Sequence, residues 1–155
     1  MILDRFRLDD KVVIVTGAGR GIGAAIARPY AEVGANVVLA ARTESQLEEV
    51  AADVRAGEGE ALVIPCDVSE LDVLDNLVDR TVEAFGGVDV VVNDAGGSMP
   101  NAFLDTSVRA FEKAFHFNVT TAFRLTQLAV PHMLDRDGAS VVNISSAIGR
   151  LSDRG

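Results

Sequence analysis

Residues 12–27, Val12-Val13-Ile14-Val15-Thr16-Gly17-Ala18-Gly19-Arg20-Gly21-Ile22-Gly23-Ala24-Ala25-Ile26-Ala27, restrict the fold more than any other stretch. Four β-branched apolar residues in a row suit a strand buried on both faces. Four alternate glycines cannot continue that strand, and the alanine-rich run after them has helical spacing. The order strand, tight turn, helix follows. Glycines let the backbone approach a ligand closely, while the free N–H groups and positive dipole end of a helix favour negative charge. The turn therefore suits a nucleotide pyrophosphate. The match of Gly19, Gly21 and Ala24 to G-x-G-x-x-A is weak evidence alone. The T-G-x-x-x-G-x-G pattern of Thr16, Gly17, Gly21 and Gly23 between a strand and a helix is stronger, and the Gly-Lys-Ser/Thr of a Walker loop is missing.

Downstream, strand and helix patterns alternate with short turns, which predicts an α/β domain with a parallel sheet. The first helix should run from Gly21 to Val33 and stop at Gly34, with a kink at Pro29. A strand at Asn36–Ala41, a helix at Glu44–Arg55 capped by Thr43 or Ser45, and a strand at Ala61–Pro65 follow. A helix from Ser69 carries Leu71, Leu74, Leu77, Val78, Thr81, Val82 and Phe85 on one face, with Asp72, Asp75 and Asp79 as a solvated stripe. The fourth strand is Val88–Val92 and the fifth Ala139–Ile144. Between them, Thr106–Leu134 reads as one long helix. Its polar stripe, Lys113, His116, Thr120, Arg124 and Gln127, separates two apolar faces. One face holds Phe111, Phe115, Val119 and Phe123, the other Ala114, Ala122, Leu125, Ala129 and Met133, so the helix needs two packing partners.

A chain of 155 residues, 48% hydrophobic and 24% charged, can bury a core and reads as a single domain over residues 1–155. A net charge of -9 without clustered Lys or Arg excludes a nucleic-acid backbone as partner. The apolar runs are strand-length, and Met1-Ile2-Leu3-Asp4-Arg5 lacks a signal-peptide core, so no membrane contact and a cytoplasmic location are expected. The single Cys66 agrees with a reducing compartment and reads as a buried, inert thiol. His116 and His132 have no acidic or Cys ligands at metal spacing; they read as surface or interface residues, and no metal site is expected.

The motifs Thr16–Gly23, Asp67-Val68, Asn93-Asp94-Ala95-Gly96, Asn118 and Ile144-Ser145-Ser146, in this order, resemble those of the short-chain dehydrogenase/reductase family. The resemblance covers nearly the whole chain. It implies a Rossmann fold, a doubly wound parallel sheet of strand order 3-2-1-4-5 with the cofactor over the strand C-terminal ends. It also implies a nicotinamide cofactor and hydride transfer between it and a carbonyl or secondary alcohol. By the resemblance, Gly17, Gly19, Arg20, Gly21, Ile22 and Gly23 form the cofactor turn, and Asn93, Ala95 and Gly96 lie against the nicotinamide-side ribose. Asp67 accepts from the adenine amino group beside the Val68 N–H, unless it only caps a turn. Asn118 holds a water in a proton relay, unless it is merely a helix polar group. Ser146 orients the substrate oxygen, unless it satisfies turn backbone. Asp94 stands where the family has a second Asn, so its carboxyl is either protonated or paired if buried.

The family's remaining catalytic pair is a Tyr and a Lys in a Y-x-x-x-K segment after the fifth strand. The only tyrosine here is Tyr30. The expectation is an N-terminal portion, truncated before the later helices and strands, inactive alone and self-associating through the 106–134 helix. The alternative is a non-catalytic dinucleotide-binding or subunit-interaction module, which would bind cofactor without turnover. For cofactor choice, an NAD site calls for a carboxylate at the end of the second strand, where this chain has Ala40-Ala41-Arg42. Arg20 and Arg42 could flank a 2′-phosphate or serve only solubility, so NADP(H) is preferred and NAD(H) possible. The substrate is not legible.

Overall fold

The computed structural model describes residues 5–98 and 101–147; the readings of residues 1–4 and of the ends of a 1–155 domain lie outside them. Five parallel strands form one sheet in the order β3-β2-β1-β4-β5. They are β1 (Val12–Thr16), β2 (Asn36–Ala41), β3 (Ala61–Pro65), β4 (Val90–Asn93) and β5 (Ser140–Asn143). The helices are α1 (Gly21–Glu32), α2 (Glu44–Ala56), α3 (Val73–Phe85), α4 (Val108–Phe115) and α5 (Thr121–Ala129). This is the parallel α/β sheet predicted by the alternating pattern, in the Rossmann-type order implied by the resemblance.

Side chains alternate across a strand, so β1 feeds two cores. Val13 and Val15 meet Ala24, Ala27 and Ala31 of α1 and Leu47, Val50, Ala51 and Val54 of α2. Val12 and Ile14 meet Leu74, Leu77 and Val78 of α3 and Leu125, Ala129 and Met133 of the α5 region. Full burial of each such Val, Leu or Ile stabilises by roughly 1.5–3 kcal/mol. The central strands are buried on both faces, which is why they read as unbroken apolar runs.

The amino-terminal edge of the sheet is fastened by a buried carboxylate. Asp89 is 1% exposed. Its Oδ2 accepts from the Val12 N–H at 3.0 Å and its Oδ1 from Lys11 Nζ at 3.1 Å, with Arg136 at 3.7 Å. The Asp89 N–H donates to the Val12 carbonyl and the Asp89 carbonyl accepts from Ser140, each at 2.9 Å. One residue thereby ties the starts of β1, β4 and β5 together.

Several boundaries differ from the sequence reading. α3 begins at Val73, because Asp67 and Ser69 form a side-chain-capped turn that delays it. β4 begins at Val90, two residues late, since Asp89 is engaged as described. Beyond α2 the left-handed residue is Glu58, at φ 64°, while Gly57 has a negative φ. α1 continues through Pro29, which is exposed, so the donor it lacks is missing on the wet side.

The largest departure is the long helix. It is split into α4 and α5 by a π-helical turn, His116–Thr120, and ends in a tighter turn at Val130–His132, where Pro131 sits. Its polar stripe is only partly a solvent face: Lys113 and Gln127 are exposed, while His116, Thr120 and Arg124 are half-buried. Arg124 reaches both carboxylate oxygens of Asp75 at 3.2 Å, so Asp75 is not purely solvated. His116 is half-buried against the chain's own Ser69 rather than lying on the surface, while His132 is exposed. Leu125, Ala129 and Met133 are buried as expected. The opposite face is open: Phe111, Phe115, Val119 and Phe123 are exposed, and Phe103, Leu104 and Val108 extend the patch.

Candidate functional site

At the carboxyl ends of β1–β4 lies a cleft of about 390 Å³. Gly17, Gly19, Arg20, Gly21, Arg42, Asp67, Val68, Ala95 and Gly96, all singled out from sequence, line it. Asp94, noted from sequence as replacing an Asn, lines it as well, with Thr43, Gln46, Cys66 and Phe117, which only their position at strand ends or on a helix could have marked.

The floor is the glycine turn. A Cβ on Gly23 would stand 2.4 Å from the Gly17 carbonyl oxygen, so only glycine permits this approach. Gly21 instead needs its left-handed backbone, φ 58°, and faces open space. The α1 N-cap, Arg20, makes no side-chain cap bond, and no acid occupies the first turn. The first N–H groups of α1 thus border the open side of the glycine turn, an arrangement suited to a phosphate. Gly23 and Ile22 do not line the cleft themselves: Gly23 supports the turn from behind, and Ile22 is 60% exposed.

The β1 and β4 ends are joined by Thr16, whose Oγ1 accepts from the Asp94 and Ala95 N–H groups at 3.1 Å each. Asn93 is buried beneath the cleft. Its Nδ2 donates to Asn143 Oδ1 at 2.9 Å, and its carbonyl accepts from the Ile144 N–H at 3.0 Å. The sequence reading placed Asn143 in a strand without seeing that it levels the Ser145-Ser146 end of β5 with the β4 loop. Ser146 is exposed past that end and Asn118 lies on the π turn; neither lines the cleft. Asn118 Oδ1 accepts from the Gly97 N–H at 2.8 Å, and its Nδ2 donates to the Gly97 carbonyl at 2.9 Å and to the Ala114 carbonyl at 2.8 Å. It is a clamp on the β4 loop, not an idle helix polar group.

Asp67 does cap a turn: its Oδ1 accepts from Ser69 Oγ at 2.7 Å and from the Ser69 N–H at 3.0 Å. Oδ2 remains for another donor, so capping and recognition do not compete. The Ser69 hydroxyl first, then its N–H and the positive charges of Arg42 and Lys113, holds the Asp67 carboxyl below the usual range against partial desolvation. It is ionised at neutral pH. Burial pushes the neighbouring Cys66 thiol up to about 11, with Asp67's charge adding to the effect, so it stays protonated.

Asp94 behaves oppositely. Desolvation against the glycine turn raises its pKa, and a bond from the Gly23 N–H offsets this only in part. A carboxyl whose pKa is raised by folding favours the folded state when protonated, and that advantage fades as pH climbs through the raised value. Asp94→Asn should therefore stabilise the fold at neutral pH and flatten its pH dependence, as thermal melts at several pH values would show. Removing a negative charge beside an anion cradle is worth ~1 kcal/mol in a wet cleft. Nucleotide affinity should rise about five-fold by titration; unchanged affinity would place Asp94 outside the phosphate's field.

Among the described residues no helix is long and apolar enough to cross a membrane. Residues 11–154 match the sequence model of the short chain dehydrogenase family. The chain is 51% identical over 156 residues to an uncharacterized oxidoreductase of Mycobacterium tuberculosis, covering 100% of this chain and 59% of that protein. It is 37% identical over 153 residues to a fatty acyl-CoA reductase of Acinetobacter baylyi, covering 97% and 52%. A solved 7α-hydroxysteroid dehydrogenase, complexed with NADH and 7-oxo glycochenodeoxycholic acid, superposes with a TM-score of 0.93 at 34% identity. That match covers 97% of this chain and 59% of the dehydrogenase. The chain spans between half and three fifths of the length of these relatives. With the glycine turn, the strand order and these matches in agreement, the chain belongs to the short-chain dehydrogenase family.

Proposed function

We propose that this chain is the cofactor-binding part of an NADP(H)-dependent oxidoreductase that interconverts a carbonyl and a secondary alcohol. The observation that carries the reading is the glycine cradle at the α1 N-terminus, flanked by Arg20 and Arg42 with no carboxylate at the end of β2. The steroid dehydrogenase above holds NADH, so the preference for NADP(H) rests on this chain's own arginines.

In this reading Gly17, Gly19, Gly21 and the α1 N–H groups hold the diphosphate, and Arg20 and Arg42 take the 2′-phosphate. Ile22 and Gly23 complete the turn. Asp67 Oδ2 and the Val68 N–H read adenine; Ala95 and Gly96, over Asn93, border the nicotinamide side. When bound, the nicotinamide supplies or accepts the hydride. Ser146 donates a hydrogen bond to the reacting oxygen. Both amide hydrogens of Asn118 are committed to carbonyls, so a relay water held there bonds the backbone of the widened turn, which skips its normal helical partners. Tyr30, the one tyrosine in the sequence, is nine residues along α1 from the cleft, roughly 13 Å away, and cannot act on that oxygen. With no tyrosine at the cleft among the described residues, and a general acid typically worth about 10²–10⁴-fold, residues 1–155 assayed alone should bind cofactor without measurable turnover.

NADPH fluorescence titration tests the proposal. NADPH should bind more tightly than NADH, and Asp67→Ala should weaken both about ten-fold, the loss of one hydrogen bond to a charged acceptor. Equal affinities for the two cofactors would remove the NADP(H) assignment; no binding of either would remove the function.

The reading includes a cytoplasmic location and a second copy of the chain on the open face of α4 and α5. Sedimentation of residues 1–155 should show species larger than a monomer, reduced to monomer by Phe111→Glu with Phe123→Glu. A wild-type monomer at all concentrations would reject that partner.

A further inference from the structure

The π turn touches two loops at once. Asn118, at its middle, clamps Gly97 of the loop after β4. His116, at its start, bonds through Nε2 to the Ser69 carbonyl at 2.8 Å, across 47 residues of sequence. Ser69 is the residue that gives Asp67 Oδ1 both its donors. A carbonyl only accepts, so His116 Nε2 must carry a proton. Phe117 beside it lines the cleft with Asp67 and Val68, and Arg124 on Asp75 fastens the same seam farther along.

We propose that His116 is a positioning residue for the adenine end of the cleft: through the Ser69 carbonyl it sets the Asp67–Ser69 turn so that Asp67 Oδ2 and the Val68 N–H face the base. This rests on the adenine reading of Asp67 above. The imidazole touches no cofactor. It fixes the turn against a helix that also holds the β4 loop, so both cofactor loops are registered to one helical feature. Either neutral imidazole with Nε2–H or imidazolium serves, because both donate from Nε2.

The test compares wild-type residues 1–155 with His116→Leu and His116→Gln. The Gln amide nitrogen lies near the imidazole Nε2 position and donates, whereas Leu cannot. ADP affinity, from competition with NADPH, should fall about three- to ten-fold in His116→Leu and recover in His116→Gln. Affinity for nicotinamide mononucleotide should not change, a separation that general loosening would not produce. The Ser69 amide should exchange with solvent faster in the Leu variant and recover in the Gln variant. Unchanged ADP affinity and Ser69 exchange in His116→Leu overturns the proposal. If wild-type protein binds no nucleotide, the cofactor reading fails, and Ser69 exchange alone decides whether His116 sets the turn. If the Leu variant does not fold, the wild-type imidazole nitrogen spectrum decides: an Nε2-protonated ring supports the assignment, and a neutral ring protonated only at Nδ1 overturns it.

Discussion

Asp89→Ala will remove a large share of the protein's stability. The substitution leaves the buried Val12 N–H without its acceptor and Lys11 and Arg136 without their counter-charge. Removing one partner of a fully buried pair costs about 3–5 kcal/mol. Here the two cations are about one-third exposed, at 33% and 32%, and can turn to water, which lowers the expected loss to about 2–4 kcal/mol. Against a domain stability of roughly 5–15 kcal/mol, that is a large share. Denaturant unfolding followed by circular dichroism would measure it as a lower midpoint. Asp89→Asn keeps an acceptor for Val12 and should lose less. A midpoint unchanged in Asp89→Ala would show that the network contributes nothing net.

On the proposed cofactor reading, Gly23→Ala will weaken nucleotide binding about ten- to hundred-fold, more than Gly21→Ala will. The added methyl at position 23 would press on the Gly17 carbonyl at 2.4 Å and on Asp94 Oδ2 at 2.9 Å, and a backbone atom cannot swing aside. Relief requires the turn to move, a strain of about 1–3 kcal/mol placed on the cradle itself. Affinity should drop about ten- to hundred-fold or more. At position 21 the methyl meets no protein atom, and the cost to the fold is the left-handed backbone, about 1–2 kcal/mol. Titrations of the two variants side by side would separate the mechanisms; equal losses would contradict the steric account.

What could be read from the sequence was what depends on near neighbours. β2 and β3 were legible to the residue, since an apolar run between turn residues defines a buried strand without knowledge of its partners. The glycine turn was legible because four glycines in seven positions have a backbone reason. The π turn was not: Phe115 to Thr121 contains no proline or glycine, and its side chains bond far across the sequence, Asn118 to Gly97 and His116 to Ser69. The Asn93–Asn143 bridge was hidden for a related reason, since it depends on the β4–β5 register, which pairs these two residues across 50 positions. Asp67 was legible only as two alternatives, of which the structure shows the turn cap, made through Oδ1 alone.

On the proposed pairing, the open aromatic face of α4 and α5 makes the folded state a reactant in an association equilibrium. When two copies cover that face, the partner acts on the folded chain as a ligand does, and the apparent stability grows with the logarithm of its concentration. A melting temperature for this chain then has no meaning apart from the protein concentration at which it is taken.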